Sequence, residues 1–278
     1  MTRLGFPISR TTVDRLLRAD AYSLRTNRKR LARIHEPERD RQFRLIARRR
    51  AWFLSRDLPV LSVDTKKKEW VGNFKNPGTC WREESRAVLD HDFPSWAIGR
   101  AIPFGIYDEG RDEGFVAVGA AHETPEFAIE ALRTWWREVG FWRYPKAGRW
   151  LIEADCGGAN SNRTWAWKVG LQRLADEFGV AITVSHYPSG ASKWNRIEHR
   201  LFNLISANWA GEPLVSYETV LKHIRATISP SGFPCRAVLD ERDYPTKKRV
   251  TAEQKAAVRL RPYKVLPRWN YTILPRRK

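Results

Sequence analysis

Two aspartates each end a short apolar run of the sequence. Asp64 follows the run Val60-Leu-Ser-Val, and Asp155 follows the run Leu151-Ile-Glu-Ala. Short runs of this composition are typical of buried strands. In α/β sheets, functional sites gather beyond the carboxyl ends of the strands, so the two carboxylates are expected to lie together. Like charges at close range repel each other unless a proton or a cation lies between them.

Glu198 is a third candidate carboxylate. The surrounding residues predict a helix over 192–207 whose apolar side chains recur at helical spacing. The members of this stripe are Trp194, Ile197, Leu201, Leu204 and Ile205. Glu198 borders the stripe, where a carboxylate costs free energy unless it is paired or bound to a metal. Its position alone leaves two interpretations open, a salt bridge at the edge of the core or a metal ligand.

A set of three carboxylates suits a particular kind of metal site. Hard oxygen ligands without thiolates favour Mg²⁺ or Mn²⁺. Two such ions about 3.5–4 Å apart can activate a water or a 3′-hydroxyl and stabilise the leaving oxygen in phosphoryl transfer. The chain has three cysteines and no C-x-x-C pattern, so the sequence favours neither a disulfide framework nor a thiolate zinc site. A carboxylate-pair glycosidase remains an alternative that the residue types allow.

The positive charge is concentrated at the two ends of the chain. The formal net charge is +19, and residues 1–57 contain 16 basic and 6 acidic side chains. Residues 244–278 contain 11 basic side chains and one acidic side chain, whereas 58–243 are nearly neutral with 23 basic and 24 acidic. A charge needed only for solubility would be spread more evenly. The pattern therefore indicates a polyanion contacted by both ends, nucleic acid in preference to an acidic membrane surface.

Candidate DNA-binding residues follow from this charge pattern. Residues 9–24 predict a helix with Ser9 as its N-cap, similar to the second helix of a helix-turn-helix. A second basic helix is predicted at 37–55, where Arg48, Arg49 and Arg50 are either phosphate contacts or a solvated face. The candidate DNA contacts are Arg10, Thr11, Arg15, Arg28, Lys29, Arg30, Lys247, Lys248 and Arg249.

The predicted elements define a fold class. Strands are expected at 59–64, 99–107, 114–120, 150–155 and 180–185, and helices at 125–139, 162–178 and 192–207. This order predicts a mixed α/β domain. We expect three regions, a basic helical segment at 1–57, a catalytic domain at 58–210 and a basic C-terminal extension at 211–278.

Three long motifs resemble those of the Rhodopirellula-type DDE transposase family. Ser62–Glu69 with Val71–Asn76 resembles its first-aspartate motif, Glu153–Asn162 its second and Ser192–Phe202 its third. The resemblance runs from about residue 9 to the C-terminus. It also includes Ala101–Tyr107 and Arg268–Tyr271.

The resemblance implies a ribonuclease-H-like sheet and metal-dependent cutting and joining of insertion-sequence ends. It implies a catalytic triad of Asp64, Asp155 and Glu198 that holds two Mg²⁺ or Mn²⁺ ions, with Asp64 bridging both. Lys193, Asn195 and His199 would orient DNA or support Glu198. The implied partners are double-stranded DNA, at the transposon ends and the target, and further copies of the chain assembled on it.

The resemblance also carries an expectation about the N-terminus. Family members are longer there and carry a full DNA-binding domain, which indicates a shortened copy whose recognition of DNA ends is affected more than its chemistry. A catalytically inactive DNA-binding remnant is the alternative.

No apolar run approaches the roughly 18 residues that span a bilayer, and the first residues lack a secretory signal. We therefore expect a protein of the bacterial cytoplasm, associated with the nucleoid.

Overall fold

The structure, a computed structural model, describes residues 8–25, 37–246 and 248–276 in two units that divide between residues 35 and 36. In the first unit, α1 (Arg10–Ala19) begins at Ser9, whose hydroxyl accepts a hydrogen bond from the backbone N–H of Thr12. The helix ends earlier than the sequence predicts. Ala21 adopts a φ of 63°, which a continuing right-handed helix does not allow.

The second unit contains the remaining elements. Its helices are α2 (Arg39–Leu54), α3 (Pro125–Trp135), α4 (Phe141–Arg143), α5 (Trp165–Phe178), α6 (Asn203–Asn208), α7 (Tyr217–Arg225) and α8 (Ala252–Ala256). Its strands are β1 (Val60–Thr65), β2 (Glu69–Val71), β3 (Gly99–Asp108), β4 (Glu113–Gly119), β5 (Arg149–Ala154), β6 (Ala181–His186), β7 (Arg236–Asp240), β8 (Leu260–Pro262) and β9 (Asn270–Ile273).

Within the described residues, the nine strands form one mixed sheet. Its order is β7-β4-β3-β1-β5-β6-β9-β8, and β2 pairs with β3. The central strands β1, β5 and β6 are parallel, whereas β3 is antiparallel to β1 and to β4. Parallel strands need cover on both faces, which explains why their sequences are apolar almost throughout. The predicted α/β class, a mixed sheet flanked by helices, is confirmed.

Helices cover both faces of the sheet. On one face, Leu61 and Val63 of β1 pack in the main core with residues of α3 and α5. On the other face, α2 covers β1 and β5, and Phe53 packs against Val60. Side chains alternate along a strand, so Asp64 shares the α2 face with Val60 and Ser62. Among the described residues, no helix combines the length and the apolar character that crossing a membrane requires.

The C-terminal region, expected as an extension of the catalytic domain, contributes to the sheet itself. Strand β9 pairs with the central strand β6, and Tyr271 and Ile273 are buried. The unit that contains the sheet runs from residue 36 to 278 and includes α2. This unit therefore includes positions 57/58 and 210/211, where the ends of the three regions were expected. Basic residues surround these short strands in the sequence and obscure their apolar pattern.

The helix predicted over 192–207 is interrupted. A 3₁₀ turn covers Ser192–Trp194, Asn195 is extended, a π-helical turn covers Glu198–Phe202, and α6 follows. Trp194 is 52% exposed and does not join the inward stripe. Asn195 leaves the helical path because its side chain binds Ser62 and Val63 of β1.

Candidate active site

Asp64 and Asp155 lie at the ends of neighbouring parallel strands. Val63 pairs with Ala154 in the register of β1 and β5, so the two aspartates follow at equivalent positions. Burial, followed by the charge of Asp155, raises the pKa of Asp64 from 3.8 to about 8. The backbone N–H of Thr65 donates to Asp64 Oδ1 at 2.8 Å, and this favours the charged form only in part. The proximity of the two aspartates therefore agrees with the sequence prediction.

Asp155 is held by its neighbours on β6 and in the following turn. Burial raises its pKa, although the backbone N–H of Gly157 donates to Asp155 Oδ1 at 3.0 Å. His186 Nδ1 lies 2.8 Å from the carbonyl oxygen of Asp155, and its Nε2 lies 3.1 Å from the Tyr271 hydroxyl. Full burial lowers the pKa of His186 to about 4, so the ring is neutral and Nδ1–H is the donor. His186 therefore fixes the backbone that carries Asp155.

Glu198 is the first residue of the π-helical turn. Single π turns inside helices occur frequently at functional sites. Burial raises the pKa of Glu198, the charges of His199 and Lys66 lower it, and the charge of Asp155 raises it. The charge of Glu198 in turn raises the pKa of Asp64. The three candidate carboxylates therefore share one electrostatic environment.

Asn195 connects the Glu198 segment to β1. It is fully buried, its side-chain oxygen accepts from the Ser62 hydroxyl, and its amide donates to the Val63 carbonyl at 3.0 Å. The backbone N–H of Ile197 donates to the Ser62 hydroxyl at 3.0 Å. These bonds satisfy buried polar groups on both segments and set the position of Glu198 relative to Asp64.

The other two residues expected to support Glu198 are exposed. His199 Nε2 lies 2.6 Å from the Lys193 carbonyl oxygen, which closes the turn before Glu198. Lys193 Nζ lies 5.5 Å from the centre of the exposed Trp194 ring. Both side chains are on the surface beside Glu198, where a bound strand could reach them.

Glu123 is a fourth carboxylate that the sequence did not reveal. Its charge raises the pKa of both Asp64 and Asp155, and Lys68 Nζ lies 2.7 Å from Glu123 Oε2. It comes from the loop between β4 and α3, where a single glutamate before Thr124 gives no pattern to detect. Gly158 accommodates it, because a Cβ at that position would lie 2.7 Å from Glu123 Oε1.

A cavity of about 340 Å³ lies beside Glu198. Lys66 lines it and is buried, with its Nζ 3.4 Å from Glu69 Oε1 and 4.4 Å from the centre of the Trp209 ring. Burial lowers the pKa of Lys66, and the charges of Glu69 and Glu198 raise it. The Lys66 side chain therefore lies close to Glu198.

Carboxylate oxygens are the ligands that a hard divalent cation prefers, although the three carboxylates do not surround a single position. Within the described parts of the chain, no three His, Cys, Asp or Glu residues are arranged to hold one metal ion. Positive side chains sit among the carboxylates instead, with Lys68 paired to Glu123 and Lys66 near Glu198. The carboxylate oxygens and the mutual repulsion of Asp64 and Asp155 are nevertheless what Mg²⁺ or Mn²⁺ would bind and relieve.

The candidate DNA contacts are distributed over both units. In α1, Arg10, Thr11 and Arg15 are exposed, as a DNA-contacting face requires. Lys248 and Arg249 are also exposed, and they line a cleft of about 240 Å³ that includes further arginines. The candidates outside the described residues are Arg28, Lys29, Arg30 and Lys247.

Arg49 and Arg50 of α2 are core residues, so their interpretation as phosphate contacts or a solvated face is wrong. Arg49 donates to the Ser185 hydroxyl at 2.6 Å and to Asn270 Oδ1 at 2.8 Å. Arg50 pairs with Glu153 and, at 2.9 Å, with Glu109. The inward residues Gln42, Ile46, Arg49 and Phe53 recur at helical spacing. That spacing is the signal in the sequence that would have placed Arg49 toward the core.

Two solved structures are similar to this chain. The Mos1 transposase paired-end complex with left transposon end matches with a TM-score of 0.51 and 16% identity, covering 77% of this chain and 61% of that chain. The Mos1 strand transfer complex gives a TM-score of 0.49 and 14% identity at the same coverage. The chain thus spans about three fifths of these solved chains. The likeness to the paired-end complex confirms the ribonuclease-H-like fold.

Sequence comparison identifies the family. A search of curated proteins finds no match. The family model described as the Rhodopirellula transposase DDE domain matches residues 1–275. The match extends over nearly the whole sequence, including the three motifs that carry Asp64, Asp155 and Glu198. The chain therefore belongs to the Rhodopirellula transposase DDE domain family.

Proposed function

We propose that the chain catalyses metal-dependent cleavage and joining of DNA strands at insertion-sequence ends, with Asp64, Asp155 and Glu198 as catalytic residues. One observation carries the proposal. Asp64 and Asp155 end adjacent parallel strands, and burial together with the charge of Asp155 raises the pKa of Asp64 to about 8. Carboxylates that repel each other in this way gain free energy when a divalent cation binds between them.

The roles of the side chains follow from their positions. Asp64 would contribute to both of two Mg²⁺ or Mn²⁺ ions, and Asp155 and Glu198 would each contribute to one. When bound, such ions activate a water or a 3′-hydroxyl and stabilise the leaving oxygen of a phosphodiester. Asn195 and His186 hold the backbones of the ligands, which is the arrangement that lets carboxylates act without reorganising.

Two groups of basic residues would hold the DNA. Arg10, Thr11 and Arg15 in α1 are candidates for end recognition, together with Arg28, Lys29 and Arg30. Lys247, Lys248 and Arg249 would contact phosphates near the catalytic unit. Transposition usually needs two DNA ends held together, so we expect copies of the chain to assemble on DNA. Because its proposed substrate is DNA, we expect the protein to lie in the bacterial cytoplasm, at the nucleoid.

Nicking of supercoiled plasmid tests the proposal. We expect the wild-type protein to nick DNA in Mn²⁺ and to lose this activity with a chelator. Asp155→Asn should bind DNA with similar affinity and should not nick it. Equal nicking by the wild type and Asp155→Asn would contradict the assignment of Asp155. If the wild type binds DNA with a steep salt dependence and never cuts it, the chain is instead an inactive DNA-binding member.

A further inference from the structure

We propose that Arg196 and Arg50 are positioning residues for Glu198, which act by sharing the buried carboxylate of Glu109. The inference rests on the proposed catalytic role of Glu198. Arg50 Nε lies 2.9 Å from Glu109 Oε2, and Arg196 Nε lies 3.3 Å from the same oxygen. Glu109 therefore links α2, which carries Arg50, to Arg196, which is two residues before Glu198.

Glu109 is a firm point of attachment. It directly follows β3, its side chain is 1% exposed, and its backbone N–H donates to the Val60 carbonyl at 2.9 Å. Arg50 also pairs with the fully buried Glu153, which accepts from the Tyr187 hydroxyl at 2.8 Å. A buried carboxylate needs a charged partner. The guanidinium of Arg50 is the partner that α2 supplies to both Glu109 and Glu153. Arg196 supplies the second positive charge from the Glu198 segment.

The four residues before Glu198 are each fixed by a different contact. The Trp194 ring meets Phe43 of α2 edge-on, with ring centres 6.1 Å apart. Asn195 binds β1, Arg196 binds Glu109, and the backbone N–H of Ile197 donates to the Ser62 hydroxyl. This segment lacks the continuous hydrogen bonds of a helix, so these contacts determine where Glu198 points.

Because Arg196 is partly exposed, its effect on the position of Glu198 can be measured separately from its effect on the stability of the fold. Its side chain is 46% exposed, and an ion pair of that exposure contributes little to the free energy of unfolding. Neither carboxylate oxygen of Glu109 has a hydrogen bond of good geometry in the described part of the chain, so its ion pairs are its partners there. Loss of Arg196 would therefore loosen the segment at one of its four contacts and change the free energy of unfolding little.

The test uses Arg196→Met, Arg196→Lys and Arg50→Met, with Arg44→Met as the control. Arg44 is an exposed arginine of α2, and its substitution removes the same charge. The first readout is amide hydrogen exchange of the metal-free protein. We expect exchange at Ile197 and Glu198 to become about tenfold faster in Arg196→Met and Arg50→Met. We expect Arg196→Lys to restore part of the protection and Arg44→Met to leave it unchanged.

The second readout is Mn²⁺ binding by calorimetry. Loss of a residue that orients a metal ligand typically costs 10–100-fold in affinity, so the dissociation constant should rise about tenfold in Arg196→Met. Unchanged exchange at Ile197 and Glu198 in Arg196→Met would overturn the inference. A wild-type protein that binds no Mn²⁺ would sink the proposed function instead, and the exchange experiment would still decide the positioning role. If Arg50→Met does not fold, the half-exposed Arg196 carries the test.

Discussion

The side-chain amide of Asn195 donates a hydrogen bond to the backbone carbonyl of Val63, 3.0 Å away. The residue three places before Glu198 is thereby fixed to the residue just before Asp64. The first and third candidate catalytic residues are thus linked by a short path of bonds. A long continuous helix, as predicted from the sequence, would have carried Glu198 without this link.

Replacing Asn195 tests that link. Asn195→Ala leaves the Val63 carbonyl and the Ser62 hydroxyl without their buried partner, so the free energy of unfolding should fall by about 1–3 kcal/mol. Mn²⁺-dependent nicking should fall at least about tenfold, because Glu198 loses its fixed position. The control is Asn208→Ala, which removes a more exposed side-chain bond to the His223 carbonyl. Full nicking by a folded Asn195→Ala would contradict the role.

The protonation of Asp64 makes stability depend on pH. Its pKa rises from 3.8 to about 8, so its neutral form stabilises the fold fully below about pH 4. This contribution is lost as the pH rises through about 8. In chelator, Asp64→Asn should therefore raise the free energy of unfolding near pH 8, by on the order of 2 kcal/mol, and much less near pH 5.

Chemical denaturation at both pH values measures this difference. The exposed Asp243→Asn serves as the control and should change stability little at either pH. An identical effect of Asp64→Asn at the two pH values would show that Asp64 does not titrate between them.

Gly158 and Gly179 separate backbone strain from contact with Glu123. Both have positive φ, +58° and +66°, so alanine at either position should cost about 1 kcal/mol. Only the Gly158 Cβ would meet Glu123, whereas a Cβ at Gly179 has open space. We expect Gly158→Ala to weaken Mn²⁺ binding by several-fold and Gly179→Ala to leave it unchanged. Calorimetry measures both, and equal affinities would contradict the expected effect of a displaced Glu123 carboxylate on Mn²⁺ binding.

Arg49 and Arg15 should behave as a core residue and a DNA contact. Arg49→Met removes the donor to the buried Ser185 hydroxyl and one of the two side-chain donors to Asn270 Oδ1, so we expect a loss of about 2 kcal/mol in the free energy of unfolding. The salt dependence of DNA binding should not change. Arg15→Met should leave stability intact and reduce the slope of log K against log salt by about 0.9. A reduced slope for Arg49→Met would indicate that Arg49 contacts DNA phosphates after all.

Local patterns in the sequence predicted the central part of the fold and the pair of aspartates. The apolar runs before Asp64 and Asp155 identify two buried strands, and adjacent parallel strands bring their ends together. Glu198 needed the family resemblance, because its position by itself allowed a core-edge salt bridge. Its position relative to Asp64 depends on Asn195, whose partners are more than 130 residues away in the sequence.

The remaining differences also arise from long-range contacts. The charge of Arg50, whose side chain is 14% exposed, is balanced by Glu109 in the turn after β3 and by Glu153 on β5. It therefore looked like a solvent-facing charge in the sequence. Strand β9 is stabilised by pairing with β6, and its four residues carry too short a pattern to stand out among basic neighbours. Glu123 enters the site through the path of a loop, which no local rule predicts.

Single-turnover strand cleavage in Mn²⁺ tests the central claim, that Asp64, Asp155 and Glu198 act as one site. The rates to compare are those of the wild type, Asp64→Asn, Asp155→Asn, Glu198→Gln and the triple variant. Residues that act as a unit are strongly non-additive. We predict that each single variant loses at least about a thousandfold in rate and that the triple variant is no slower than the worst of them. A single variant that cleaves at the wild-type rate, or losses that multiply in the triple variant, would contradict a shared site.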